Sequence, residues 1–180
     1  AGGENRRKIR DWIDRCTIVD KLSLLCGISP SEVCKLSDEM TSRRSRTDRM
    51  VNVNFAGIHC LSPRLPDGAL SLTLAGAKKL HELNPKPPNT FEQGIISSEL
   101  DHLGIPRVLL MDDAIPFVGK GRNVIHGFVL GADPHLIVGQ PCLVVSTKGE
   151  LVAHGLANAT ADDMAFFDKG IAVKVRDGVL

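Results

Sequence analysis

Gly170-Ile-Ala-Val-Lys-Val-Arg-Asp-Gly178 is a strand bracketed by glycines, and its reading decides the fold. Val173 and Val175 alternate with Lys174 and Arg176, so one face is apolar and the other carries two cations. Short apolar runs of the same kind precede it: Leu151-Val-Ala153, Leu143-Val-Val145 and Phe128-Val-Leu130, led by Gly121-Arg-Asn-Val-Ile125. Gly139, Lys148-Gly149 and Gly155 punctuate them. Short strands with a small residue wherever the chain must turn predict a small closed β structure. From residue 105 the predicted order is strand (108–111), helix (113–120), strand (124–130), strand (142–146), strand (151–157), helix (161–167) and strand (171–175).

Upstream the pattern changes to helical spacing. Ile9, Trp12, Ile13, Cys16 and Val19 predict an amphipathic helix over 4–21. Ser29-Pro-Ser-Glu32 supplies a capping box with proline at the first helical position, and Val33, Leu36 and Met40 continue a second helix. The two are expected to pair through residues 22–28. Val51, Val53 and Phe55 alternate with Asn52 and Asn54, a half-buried strand. Pro66-Asp-Gly68 is a turn, followed by a strand at Leu70, Leu72 and Leu74 and a short helix over 75–83. Asn84-Pro-Lys-Pro-Pro88 forms a natural boundary, and 90–103 predicts one more helix. These elements predict an N-terminal α+β domain over 4–88, a connector over 89–104 and a β-rich domain over 105–180.

Bulk properties narrow the classes. The chain has 180 residues, 43% hydrophobic and 24% charged, which is ordinary for a globular protein with a substantial core. It contains no apolar run long enough for a membrane helix and no apolar signal-peptide core near residue 1. The expectation is a soluble cytoplasmic protein, with residues 1–3 left out of the fold reasoning. Five cysteines form no C-x-x-C pair and no zinc-type set, so free, mostly buried thiols are expected. The six histidines show no metal-ligand spacing, and no cofactor is expected. Residues 1–60 carry net +3 and residues 111–180 net −2. A nucleic-acid binder normally shows a basic footprint, so any such role must rest on where the charges lie. Asp112-Asp113 and Asp162-Asp163 fall at expected helix starts, where acids suit the helix dipole. With one Trp, six Phe and no Tyr, stacking platforms for bases are scarce.

The strand order and its glycines resemble the PUA domain, a small RNA-binding pseudo-barrel, over about residues 105–178. The matching features are Asp113-Ala114 at the first helix, Gly121 before the second strand, and Asp133 and Gly139 in the following loop. Gly149 in the hairpin, Gly155 in the fourth strand and Val173-Lys-Val-Arg176 in the last complete the set. Leu70-Ser-Leu-Thr-Leu-Ala-Gly-Ala-Lys-Lys-Leu-His81 is similar to the helix-and-sheet domain before the PUA domain in archaeosine tRNA-guanine transglycosylase and archaeosine synthase. With it the resemblance extends over about residues 50–178. The fold it implies is α+β, a small N-terminal α+β domain followed by a PUA-like β pseudo-barrel with two short helices.

By position, the resemblance nominates Lys120, Gly121, Arg122 and Asn123, with Lys174 and Arg176, as an RNA cleft. Gly121 would admit a phosphate close to the backbone, Lys120 and Arg122 would neutralise it, and Asn123 could pair with a phosphate or a base edge. Relatives tend to place a lysine where this chain has Gly127, a loss expected to weaken the phosphate track or to shift the contact to His126. Arg43, Arg44, Arg46 and Arg49 form a possible second basic patch. The implied role is to hold tRNA while a separate catalytic transglycosylase chain exchanges a base. No catalytic residue is expected here. The family's nucleophilic aspartates, its zinc cysteines and the synthase's Pro-Cys-Ser-Lys-Gly motif are absent from the sequence, and Gly119-Lys-Gly-Arg122 is too short for a P-loop. Trp12 and the apolar positions of the first helix are candidates for the partner contact. The alternative is a protein-interaction scaffold on the same fold without RNA binding of its own.

Overall fold

Gly27, at φ 58°, stops the first helix, α1 (Gly2–Cys26), in the left-handed conformation that glycine adopts without penalty. The structure, a computed structural model, describes residues 2–64, 66–83 and 104–180. The expected helix over 90–103 and the proline boundary at 84–88 lie outside the described residues. The chain divides into two compact units, Ala1–Gly76 and Ala77–Leu180.

In the first unit, α1 buries Asp14, Ile18, Leu22 and Cys26, a stripe at i, i+4 spacing. This is the opposite face from the one the sequence pattern selects: Ile9, Trp12 and Ile13 are 59%, 64% and 48% exposed. The buried carboxylate explains the reversal. Asp14 accepts from Ser42 Oγ at 2.5 Å and from Arg44 through both Nε and a terminal nitrogen, and a charge so paired can sit in a core.

Helix α2 (Pro30–Ser37) is capped as expected, with the Glu32 amide donating to Ser29 Oγ at 3.3 Å. It stops at Ser37, and Met40 opens a strand instead of continuing the helix. Strands β1 (Met40–Arg44), β2 (Met50–Phe55), β3 (Ile58–Pro63) and β4 (Leu70–Leu72) form an antiparallel meander in that order. Ala56 and Gly57, both at positive φ, make the tight β2–β3 turn. Helix α3 (Leu74–Leu83) begins flush against β3, since a Cβ on Gly76 would lie 2.0 Å from the Cys60 carbonyl oxygen.

The second unit is built on β5 (Arg107–Leu110), β6 (Val124–Ile125), β7 (Val129–Ala132), β8 (Pro141–Val145), β9 (Leu151–Ala157) and β10 (Ile171–Gly178). The sheet order is β6-β10-β9-β8-β5-β7. Every pairing is antiparallel except β5 with β8. Two short helices accompany it, α4 (Ile115–Val118), entered through a 3-10 turn at Asp112–Ala114, and α5 (Ala161–Phe166). The single strand expected over 124–130 is two strands, split by a 3-10 turn at His126–Phe128. Its halves occupy opposite ends of the sheet order. Laid flat, six strands would hold those ends roughly 24 Å apart, but four residues reach at most ~14 Å. The sheet must therefore curl into a pseudo-barrel. Val108, Leu110, Val118, Val124, Val144, Met164 and Val173 fill it.

None of the five cysteines forms a disulfide, and burial pushes the Cys26 and Cys142 thiols up to about 12. Among the described residues no cluster of His, Cys, Asp or Glu could hold a metal ion, and no helix is long and apolar enough to cross a membrane.

Candidate nucleic-acid interface

Helix α4 ends in a turn that uses up its own backbone donors. The amides of Lys120 and Arg122 both donate to the Phe117 carbonyl, and that of Gly121 donates to Val118 O at 2.9 Å. Gly121 sits at φ 90° with nothing within 4 Å of a built Cβ, so glycine is needed there for its conformation and not for room. With these amides committed, the turn has no backbone cradle for an anion. Its positive character rests on the exposed side chains of Lys120 and Arg122.

Asn123 holds the turn to the sheet. Strand β6 pairs with β10 at Ile125–Ile171 and Val124–Val173 and then ends. Asn123 Oδ1 takes over, accepting from the Val175 amide at 3.0 Å in place of the missing strand. The far end of β10 is fixed to the same turn. A Cβ on Gly178 would lie 2.0 Å from Gly119 O, and the Leu180 amide donates to that oxygen at 2.9 Å.

Lys174 and Arg176 are exposed on β10, while Val173 is buried and Val175 packs against the core. The ladder to β9 shifts between Val175 and Asp177, so Arg176 lies in a bulge. Beside it His154, 3% exposed, lies 3.3 Å from the Asp177 carboxylate. Burial pushes the His154 pKa below its ordinary 6.5, opposed by that bond, and His81 shifts the same way, also chiefly by burial. A depressed histidine pKa means that below 6.5 the unfolded chain takes up a proton the folded one resists, so stability is complete above 6.5 and falls as pH drops beneath it. Thermal melts at pH 7.5 and 5.5 should show that loss, and His154→Gln should narrow the gap. An unchanged gap in the variant would exclude His154 as its source.

Two nominated residues are placed otherwise than expected. His126 is 7% exposed, its ring edge-on to Phe167 at 6.0 Å, so it is not a surface phosphate contact. The neighbouring Gly127 has its own reason: a Cβ there would meet Asp168 O at 3.0 Å, leaving little room for a side chain. Arg44 is not a loose cation either. It bonds Asp14 and the Asp48 carbonyl, leaving Arg43, Arg46 and Arg49 exposed around the β1–β2 hairpin. The structural duty of Asn123 has no signal in the sequence, since it depends on β6 stopping after two residues.

Known proteins match this chain in two pieces. Residues 106–179 match the PUA domain, and residues 31–87 match the patch-forming domain C2 of tRNA-guanine transglycosylase. The tRNA-guanine(15) transglycosylase of Thermococcus onnurineus (strain NA1) is 34% identical over 138 residues, covering 77% of this chain and 20% of that protein. The chain thus spans about a fifth of the length of the curated relatives it matches. A hypothetical protein from Pyrococcus horikoshii has a similar fold, with TM-score 0.61 at 18% identity over 92% of this chain and 89% of the other. A conserved PUA domain protein from Thermoplasma acidophilum gives TM-score 0.57 at 16% identity over 99% and 90%.

Proposed function

Residues 106–179 belong to the PUA domain family and residues 31–87 to the patch-forming C2 domain of tRNA-guanine transglycosylase, and on that premise we propose that this chain holds tRNA for base exchange by a transglycosylase active site carried elsewhere. The observation that carries the reading is continuity. The 138-residue match to a tRNA-guanine(15) transglycosylase is longer than either domain, so it runs through both in one order.

Lys120 and Arg122 beyond α4, with Lys174 and Arg176 on β10, supply cations on exposed positions of the barrel. Because the turn's amides are spent, the grip is made by side chains, which neutralise phosphates and carry little sequence information. Selection of the RNA would come from its shape. The catalytic part would sit on a partner chain or on a longer one. The exposed Ile9, Trp12 and Ile13 of α1 offer it an apolar contact.

The test is tRNA binding at several salt concentrations, with Lys174→Ala/Arg176→Ala alongside. Wild type should lose affinity steeply with salt. Removing two phosphate contacts should weaken binding by roughly tenfold or more and flatten the logarithmic salt slope by about 1.8. An unchanged slope in the variant would exclude these two residues. No tRNA binding even at low salt would favour the second reading, a protein-interaction scaffold using the apolar stripe of α1.

A further inference from the structure

We propose that Phe166 and Phe167 form a stacking platform for an unpaired RNA base beside the phosphate-binding cations, an inference that rests on the tRNA-holding role. The two rings close helix α5 in a fully visible position, 80% and 50% exposed. Their centroids lie 5.0 Å apart with planes at 89°, and their exposure leaves both rings accessible to solvent. The fold does not use them as core. Helix α5 is anchored by Ala161 and Met164, each 2% exposed, and by the Thr160–Asp163 capping box. Burying such rings would have stabilised the unit by roughly 1.5–3 kcal/mol apiece.

Phe167 also has a ring contact behind it. Phe167 meets the ring of His126 in a T-shaped contact, and His126 is itself buried with Nδ1 lacking a hydrogen-bond partner among the described residues. His126 is fixed in turn, its amide donating to Gly170 O at 3.1 Å. Ile125 and Ile171, directly paired across β6 and β10 and 41% and 37% exposed, extend the apolar surface toward the cations.

Charge decides the occupant. Past Asp168, Lys169 lies two residues beyond the rings in sequence, and Lys174 and Arg176 follow on β10, all three exposed. Aromatic faces leading into a row of cations suit single-stranded nucleic acid, whose bases all offer a π-face while the backbone needs neutralising. An apolar protein partner would not call for the cations.

The experiment compares the full chain with Phe166→Ala/Phe167→Ala and Phe166→Tyr/Phe167→Tyr. The probe is a short single-stranded RNA carrying 2-aminopurine, with the same sequence as a duplex for reference. The alanine variant should bind the single strand about tenfold more weakly and lose most of the quenching of 2-aminopurine. Its salt slope and duplex binding should stay as in wild type, and the tyrosine variant should bind as wild type does. Lys174→Ala/Arg176→Ala, run in parallel, should instead flatten the slope and keep the quenching. Single-strand binding and quenching unaltered by the alanine pair would overturn the platform and leave the tRNA-holding role standing. Equal losses in the alanine and tyrosine variants would also overturn it, since the tyrosine rings still stack. Absence of any RNA binding in wild type would overturn both.

Discussion

Asp14→Ala should destabilise the first unit by about 2–3 kcal/mol, the loss of the charge-assisted hydrogen bonds made to a buried carboxylate. Asp14 is a carboxylate 1% exposed, ligated by Ser42 and by the Arg44 guanidinium. Removing it leaves Arg44 to its contacts with Asp48 and leaves the Ser42 hydroxyl without that acceptor. A loss of that size is a large part of the 5–15 kcal/mol that holds a typical domain together. Urea titration followed by far-UV circular dichroism would show the transition that carries α1 moving to lower denaturant. The companion Asp14→Leu/Arg44→Met, which replaces the pair with apolar bulk, should recover much of the loss. Should Asp14→Ala unfold within about 0.5 kcal/mol of wild type, the range usual for an unimportant surface change, the ion pair is not what sets the face of α1.

Gly155→Ala is expected to force a methyl group between two strands in the middle of the barrel sheet. It would sit 2.2 Å from the Lys174 carbonyl oxygen and 2.9 Å from the Val175 Cα, both backbone atoms. Strand β9 cannot retreat, because Gly155 is paired on one side with Val175 and on the other with Cys142. The strands must part, at about 3 kcal/mol, the upper end of ordinary overpacking. In a unit of ~100 residues that corresponds to a fall in Tm of roughly 12–24 °C. The same displacement shifts Lys174 and Arg176, so RNA binding should weaken along with stability. Gly121→Ala meets no atom and should cost only its backbone strain, about 1–2 kcal/mol. Equal melting of the two variants would show that crowding at Gly155 is relieved cheaply.

The closed β unit was legible because its signals are local. Strand β9 and the start of α5 follow from the apolar run at Leu151-Val-Ala153 and from Asp162-Asp163 at an expected helix start. The face of α1 was not legible, since apolar spacing points to Ile9, Trp12 and Ile13, whereas the buried stripe depends on Asp14 meeting Ser42 and Arg44, 28 and 30 residues away. Strand β1 was hidden for a related reason: Met40-Thr-Ser-Arg-Arg44 is mostly polar, and pairing with β2 makes it a strand. For the candidate interface, the shared face of Lys174 and Arg176 follows from strand alternation, whereas Lys120 and Arg122 were nominated through the resemblance. Burial of His126 and exposure of the Phe166–Phe167 pair do not. Both arise where the loop before β10 crosses the 3-10 turn, with the Gly127 amide donating to Asp168 O at 3.0 Å.

The split of residues 124–132 into β6 and β7 has a consequence for how the second unit assembles. Strand β7 finds β5 nearby in sequence, but β6 has no partner until residues 171–173 arrive. During synthesis the barrel therefore cannot close until its last strand has emerged, however early the rest has collapsed. Such late, sequence-distant pairing implies slow folding, with a waiting state whose unpaired strand edges are prone to aggregation. A chain truncated before Ile171 would be held in that waiting state.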